Sequence, residues 1–237
     1  MKHGYILLLC FLLTLDATAQ AVKPVADADT YLDSVKAALT KEWPHNRTIN
    51  LVFHGHSVPS GYFLTPDVRT LDSYPYLVLQ ELKAKYPYAV INVIVTAIGG
   101  ENSVQGAKRF LRDVLIHRPD VLFIDYALND RRVGLEKARE AWEEMIREAR
   151  QRNIPVVLLT PSPDLRVDLT EEGNELEEFT RMIRELARVH GTGLADSYAR
   201  FRGIAGSGQD LEEFMSQVNH PNRKGHELIA AEILRYF

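Results

Sequence analysis

The chain has 237 residues, 46% of them hydrophobic, with 28 Lys and Arg against 32 Asp and Glu. The net charge of −4 comes from interspersed signs with no basic stripe, which speaks against a nucleic-acid partner. No repeat or low-complexity tract breaks it up, and the length suits one domain with a substantial core.

At the amino end, Lys2 and His3 precede an almost wholly apolar run, Tyr5 to Leu15. Ala17-Thr18-Ala19 then supplies the small residues that a signal peptidase requires. A signal peptide over 1–19, cut before Gln20, is expected, with export to a bacterial periplasm or the exterior. The run is short for a bilayer crossing, which takes about 20 residues, so no integral membrane association is expected after cleavage. The single cysteine, Cys10, would leave with the signal, and with it any disulfide or thiol chemistry. A single domain over 20–237 is expected to remain.

After a short tether, Thr30 to Trp43 has apolar residues at helical spacing: Tyr31, Leu32, Val35, Ala38, Leu39 and Trp43. Short β-branched, apolar runs then alternate with amphipathic stretches. The predicted strands are Ile49–Phe53, Val90–Val95, Val121–Tyr126, Val156–Leu159 and a weaker Gly193–Ala195. The predicted helices between and after them are Tyr74–Lys85, Ser103–Ile116, Leu135–Gln151, Leu176–His190 and Arg223–Tyr236. Ser73 before Pro75 reads as a helix start, and Gly134 and Gly191 read as breaks. Strands apolar on both faces need helices above and below, and β-α-β alternation supplies them around a parallel sheet. The fold class is therefore α/β, three-layered, with a five-stranded parallel sheet. Right-handed crossovers put every strand's carboxyl end on one edge, where ligands bind in open sheets.

The residues that could carry chemistry fall just past those ends. Ser57 follows the first strand behind Gly55, where glycine permits a tight reversal that lifts a side chain above the sheet. Pro59 at the last position rules out the G-x-S-x-G elbow. Gly99-Gly100 follows the second strand, where a backbone N–H could approach a developing oxyanion unhindered, or where a flexible turn could simply sit. Asn129 and Asp130 follow the third. Asn129 could cap the turn or aim its amide at a carbonyl, and Asp130 is read as pinning the loop. His220, held extended by Pro221, precedes the last helix, and His226 within that helix is read as a packing or capping residue.

Taken together, these four pieces resemble the SGNH (GDSL-type) hydrolase superfamily. Its members carry G-D-S after the first strand, a glycine after the second, G-x-N-D after the third and D-x-x-H-P before the last helix. The matching stretches here are Gly55-His56-Ser57, Gly100, Ala127-Leu128-Asn129-Asp130 and Gln217-Val218-Asn219-His220-Pro221. The resemblance implies a flavodoxin-like SGNH fold and a carboxylic ester hydrolase without a cofactor. It implies Ser57 as nucleophile, His220 as general base, and an oxyanion hole from the Ser57 and Gly100 N–H groups and the Asn129 amide. Serine needs such an imidazole to accept its proton, and each oxyanion donor supplies about 3–4 kcal/mol.

Three positions depart from the pattern: His56, Ala127 and Gln217. Gln217 stands where an aspartate would orient His220; neutralising that acid in serine proteases costs about 10⁴ in turnover. A Ser–His dyad, a substitute carboxylate from Asp210, Glu212 or Glu213, or low activity would follow. The expected substrate is an O-acyl ester, most simply an acetyl group on a carbohydrate, with Tyr62, Phe63, Arg69, Arg131 and Arg132 offering stacking and cationic contacts. A lysophospholipase- or thioesterase-like enzyme is the alternative. Two rivals remain: a zinc site from His54, His56, His220 or His226 with Asp125, and a sugar-binding pseudo-esterase that lost the reaction.

Overall fold

The structure, a computed structural model, describes residues 24–237; the expected signal segment over 1–19 lies outside them. Among the described residues, strands β1 (Thr48–Gly55), β2 (Val90–Val95), β3 (Val121–Asp125), β4 (Val156–Leu159) and β5 (Gly193–Ala195) form one parallel sheet in the order β2-β1-β3-β4-β5. Helices α1 (Asp33–Leu39), α2 (Tyr74–Lys85), α3 (Ser103–Asp113), α4 (Ala127–Asp130), α5 (Leu135–Arg150), α6 (Glu175–His190), α7 (Ser197–Gly206) and α8 (Arg223–Leu234) surround it. A small antiparallel hairpin, β6 (Met215–Gln217) with β7 (His220–Pro221), precedes α8. The architecture is the expected flavodoxin-like α/β sandwich.

Alternation along the central strands builds both layers. Leu51, Phe53, Phe123 and Val157 face the side covered by α1, α2, α7 and α8. Val52, Leu122, Ile124, Val156 and Leu158 face α3, α5 and α6. Phe53 and Phe123, paired in register, stack at 4.3 Å. Each fully buried side chain of this kind contributes about 1.5–3 kcal/mol, so the sheet centre is the most strongly held part of the chain.

Several boundaries differ from the sequence-based expectation. The first helix is shorter than Thr30–Trp43: Asp27 Oδ1 accepts from the Asp29 and Thr30 N–H groups, holding a separate turn, and Trp43 is 84% exposed. Tyr31, freed from that helix, brackets Val156 with its hydroxyl, at 3.0 Å from the amide nitrogen and 3.1 Å from the carbonyl oxygen. The third helix stops at Asp113, short of Ile116, because a 3₁₀ turn and a left-handed Arg118 (φ 47°) follow. Helices α4 and α7 and the β6–β7 hairpin had no sequence-based counterpart.

Chain order reverses at β1: β2 lies on one side and β3 on the other. The loops leaving β1 and β3 therefore diverge, opening a crevice at the carboxyl edge, the usual ligand position in such sheets. Gly55 ends β1 there. A methyl group at Gly55 would collide with the Asp125 carbonyl oxygen and lie 2.9 Å from Pro59 Cγ. The glycine is required by close approach to β3 rather than by the reversal that the sequence suggested. Among the described residues no helix is long and apolar enough to cross a membrane.

Candidate active site

Three loops tie together at the carboxyl edge. Ser60 Oγ donates to the Ala97 carbonyl at 3.1 Å, and the Ile98 N–H donates to the Gly55 carbonyl at 3.1 Å. Asn129 Nδ2 donates to the Glu101 carbonyl at 2.9 Å. These bonds gather Ser57, Gly100 and Asn129 on one rim. Gly100 has φ +77°, a left-handed conformation that favours glycine, with nothing within 4 Å of where a Cβ would stand. Neither the Ser57 nor the Gly100 N–H donates to another group among the described residues, and Asn129 keeps a second amide hydrogen. Two backbone donors and one side-chain donor are thus uncommitted on the same rim.

The β6–β7 hairpin brings the fourth residue. His220 Nε2 lies 2.9 Å from Ser57 Oγ across 163 residues of sequence, with both side chains largely buried. His220 Nδ1 lies 2.9 Å from the Phe63 carbonyl oxygen and 2.6 Å from Gln217 Nε2. For Nε2 to accept the serine proton, Nδ1 must carry hydrogen, which the Phe63 carbonyl accepts. Gln217 Oε1 accepts from the Thr65 N–H at 3.1 Å, which leaves Nε2 facing Nδ1; its oxygen could meet an Nδ1 hydrogen only by turning the amide and giving up that bond. Burial lowers the His220 pKa below the ordinary imidazole value, and His56 lowers it further, against the raising effect of the Phe63 bond. The lowered pKa favours the neutral ring, the form that a base would need.

Among the described residues no carboxylate is hydrogen-bonded to the His220 ring. Asp210 caps the 3₁₀ turn at Leu211–Phe214 by accepting from the Glu212 N–H at 2.8 Å, and Asp210, Glu212 and Glu213 are all exposed. The substitute acid sought among those three is therefore not in contact with the ring.

His56 points inward beside Ser57. Its Nδ1 accepts from the Val58 N–H at 3.2 Å, and its Nε2 lies 3.4 Å from Asp125 Oδ1 without hydrogen-bond geometry. Asp125 Oδ2 accepts from the Tyr74 hydroxyl at 3.0 Å, and burial with that charge raises the Tyr74 pKa well above normal. His226 is buried, stacked on Phe63 at 5.5 Å, and accepts from the Tyr74 N–H at 3.2 Å. Burial, with His220 close by, pushes its pKa down to about 3.

His54 goes elsewhere. A continued pleat would put residues 54 and 56 on one face, but the strand ends at Gly55 and the two rings part. His54 Nδ1 meets Thr96 Oγ1 at 2.9 Å and its Nε2 meets the Tyr126 hydroxyl at 3.1 Å. Tyr126 donates to Glu101 Oε2 at 2.7 Å, and Arg109 Nε donates to Glu101 Oε1 at 2.7 Å. Burial and the Arg109 charge hold the His54 pKa at about 3. This network, directly behind Gly100, was not foreseen from sequence. Among the described residues no three His, Cys, Asp or Glu side chains cluster to hold a metal ion.

Asp130 does pin its loop: it is fully buried, accepting from the Ser103 N–H and from Trp142 Nε1, both at 2.7 Å. Of the residues expected to meet a sugar, Phe63 is buried in packing, with the Arg69 guanidinium 5.0 Å above its ring. Tyr62 remains beside the site, 6.1 Å from the His220 ring. A cleft of about 400 Å³ adjoins Asn129 and Asn219, lined also by Leu128, Arg131, Arg132, Arg166 and Glu175.

Solved structures share this fold. A two-domain esterase (CEX) active on acetylated mannans superposes with a TM-score of 0.69 at 23% identity, covering 88% of this chain and 53% of that one. This chain thus spans about half the length of that esterase. Axe2, an acetylxylan esterase from Geobacillus stearothermophilus, gives a TM-score of 0.69 at 21% identity, covering 79% of this chain and 93% of that one. No curated protein matches the chain. The model of the GDSL-like lipase/acylhydrolase family matches residues 53–228, from the end of β1 into α8. The chain belongs to that family, the SGNH-type hydrolases that its four loop motifs resemble.

Proposed function

We propose that the protein hydrolyses carboxylic esters through Ser57 and His220, removing acetyl groups from a carbohydrate. The observation that carries this is the 2.9 Å contact between Ser57 Oγ and His220 Nε2. In that arrangement the ring accepts the hydroxyl proton as Oγ attacks the acyl carbonyl, then returns it to the departing alkoxide. Water, deprotonated by the same ring, releases the acid from the acyl-serine. The negative charge on the tetrahedral oxygen would be met by the Ser57 and Gly100 N–H groups and by the second hydrogen of the Asn129 amide. Each such donor contributes about 3–4 kcal/mol to the transition state.

The absence of a carboxylate behind His220 weighs less than it first suggests. The 10⁴-fold cost of replacing the acid by an amide in serine proteases is a tautomer effect. Here the Phe63 carbonyl lies 2.9 Å from Nδ1, placed to accept its hydrogen and favour the productive tautomer. What is missing is a full charge to stabilise the imidazolium, so turnover should be modest rather than absent.

A carbohydrate alcohol is supported by the polar cleft next to Asn129, by Tyr62 beside the base, and by fold relatives active on acetylated mannan and acetylxylan. Leu128 is the one apolar side chain lining that cleft, which suits a short acyl group better than a long chain. Export to the periplasm or exterior, where such polysaccharides occur, belongs to the same proposal. The test is release of acetate from acetylated polysaccharides and from acyl esters of increasing chain length, with Ser57→Ala beside the native chain. Acetate release that disappears in Ser57→Ala supports the reading. Unchanged release in the variant would sink the nucleophile, and a native chain that binds sugar without cleaving any ester would favour the pseudo-esterase.

A further inference from the structure

We infer that the cleft beside Asn129 selects esters of a carboxylate-bearing sugar, of the hexuronic acid type, with Arg132 and Arg166 as the recognising groups. This rests on the hydrolase reading above and adds the substrate class. The cleft runs from Asn129, the residue offered as an oxyanion donor, to Asn219, the neighbour of His220, so an occupant would lie beside the catalytic rim.

Three guanidinium groups line this space: Arg131, Arg132 and Arg166. Arg131 is committed, bonded to Asp164 and to Glu175, and its side chain is only 17% exposed. Arg166 shares Asp164 with it, at 2.8 and 2.6 Å, yet its side chain is 64% exposed. Arg132 is exposed and makes no ion pair among the described residues. Asp164 is fully buried; burial pushes its carboxyl up, but the bonds from Arg166 and Arg131 outweigh that and hold it at about 2. Two carboxylates therefore face three guanidinium groups, leaving a local surplus of positive charge in a chain whose net charge is −4. The surplus sits on the two most exposed members. Guanidinium presents paired donors that match a carboxylate, and Arg131, fixed by its acids, keeps the wall of the cleft in place.

A carboxylate on the acyl side, as in a hemisuccinate, would satisfy the same arginines, so the test separates the two sources. Kinetics on acetylated polygalacturonate, acetylated xylan, 4-nitrophenyl acetate and 4-nitrophenyl hemisuccinate would be compared for the native chain, Arg132→Ala and Arg166→Ala. The expected result is a kcat/KM on the acetylated polyuronate about 10-fold above that on acetylated xylan, a preference that added salt reduces. Each variant should lower that ratio about 5-fold, mainly through KM. A ratio near one in the native chain, or one that neither variant changes, overturns the inference. A preference for hemisuccinate over acetate that depends on the same arginines reassigns the carboxylate to the acyl group and overturns it too. Absence of turnover on every ester would remove the hydrolase reading alone. Calorimetry of galacturonate oligomers with Ser57→Ala would then still decide the cleft, supporting it if Arg132→Ala in that background weakens binding and overturning it if nothing binds.

Discussion

Behind the Gly100 turn and behind His220 the chain is built in two different ways. The turn rests on a buried carboxylate, Glu101, gripped by Arg109 and Tyr126, with His54 closing the network. The imidazole rests on neutral dipoles, the Phe63 carbonyl and the Gln217 amide. In a serine protease the acid stands behind the base. Here full charge fixes the backbone that would receive the oxyanion, while the proposed base is oriented without it. The comparison teaches that orientation and charge stabilisation are separable: a carbonyl can set a tautomer, but only a carboxylate can also hold a proton on the ring.

The most damaging change on the base side is His220→Ala, which should lower kcat by about 10⁴ or more while leaving the sheet intact. Steady-state kinetics beside far-ultraviolet circular dichroism check both halves of that statement. A smaller loss would mean that the neutral scaffold is not serving a base at all.

Acid should expose the next largest effect, because it acts on the rings held neutral. His54 and His226 have folded-state pKa values of about 3 against an ordinary 6.5. The unfolded chain therefore binds their protons first, so the stability they contribute is complete above pH 6.5 and lost as pH falls toward 3. Between pH 7 and pH 5 each ring should cost about 2 kcal/mol, roughly 4 together. Urea unfolding at the two pH values measures it, and His226→Phe should remove about half. The same sign governs catalysis. Because His220 must be neutral and its pKa is lowered, kcat/KM should rise with pH through a midpoint below 6.5.

On the charged side, Glu101→Gln leaves Arg109 buried beside a neutral amide and loosens the turn. A loss of about 100-fold in kcat with little change in KM is expected, together with a lower melting temperature. If stability falls but kcat does not, the network serves the fold and not the oxyanion. The smallest and most pointed change is Gln217→Glu, which supplies the missing charge. It should raise kcat by about 10-fold and move the acidic limb of the pH profile upward, since a carboxylate beside imidazole favours the protonated ring. An unmoved limb would show that Gln217 is not coupled to the base.

Much of this was legible in the sequence because local chemistry announced it. Val90–Val95 and Val156–Leu159 are strands as expected, since β-branched runs between turn signals have few alternatives, and the weaker Gly193–Ala195 is a strand too. The helix Tyr74–Lys85 begins where Ser73 and Pro75 said it would. Ser57, Gly100 and Asn129 stood out because they follow predicted strand ends, and His220 because it precedes Pro221 and the last helix, although Asn129 lies in the short helix α4 and His220 in β7. Helix α7 escaped notice: glycines at 203 and 206 dilute its pattern, and Tyr198 and Phe201 alone mark its buried face. The supports of the site were illegible for a different reason. Nothing in the sequence around Glu101 and Arg109 marks them as partners of Tyr126 and His54, which reach them from the ends of β3 and β1. Phe63 acts through a carbonyl oxygen, which no side-chain pattern can disclose.

The cross-bonded rim that carries Ser57, Gly100 and Asn129 grows directly from the central sheet, whereas His220 arrives on the β6–β7 hairpin. That hairpin is attached by a few contacts, among them the Thr65 N–H on Gln217 at 3.1 Å and the Leu165 N–H on the Val218 carbonyl at 2.8 Å. Hydrogen exchange should therefore find residues 211–222 opening as a separate low-energy unit while the amides of 51–55 stay protected. An excursion of that kind would withdraw the imidazole and disarm the serine reversibly, with the rest of the molecule still folded.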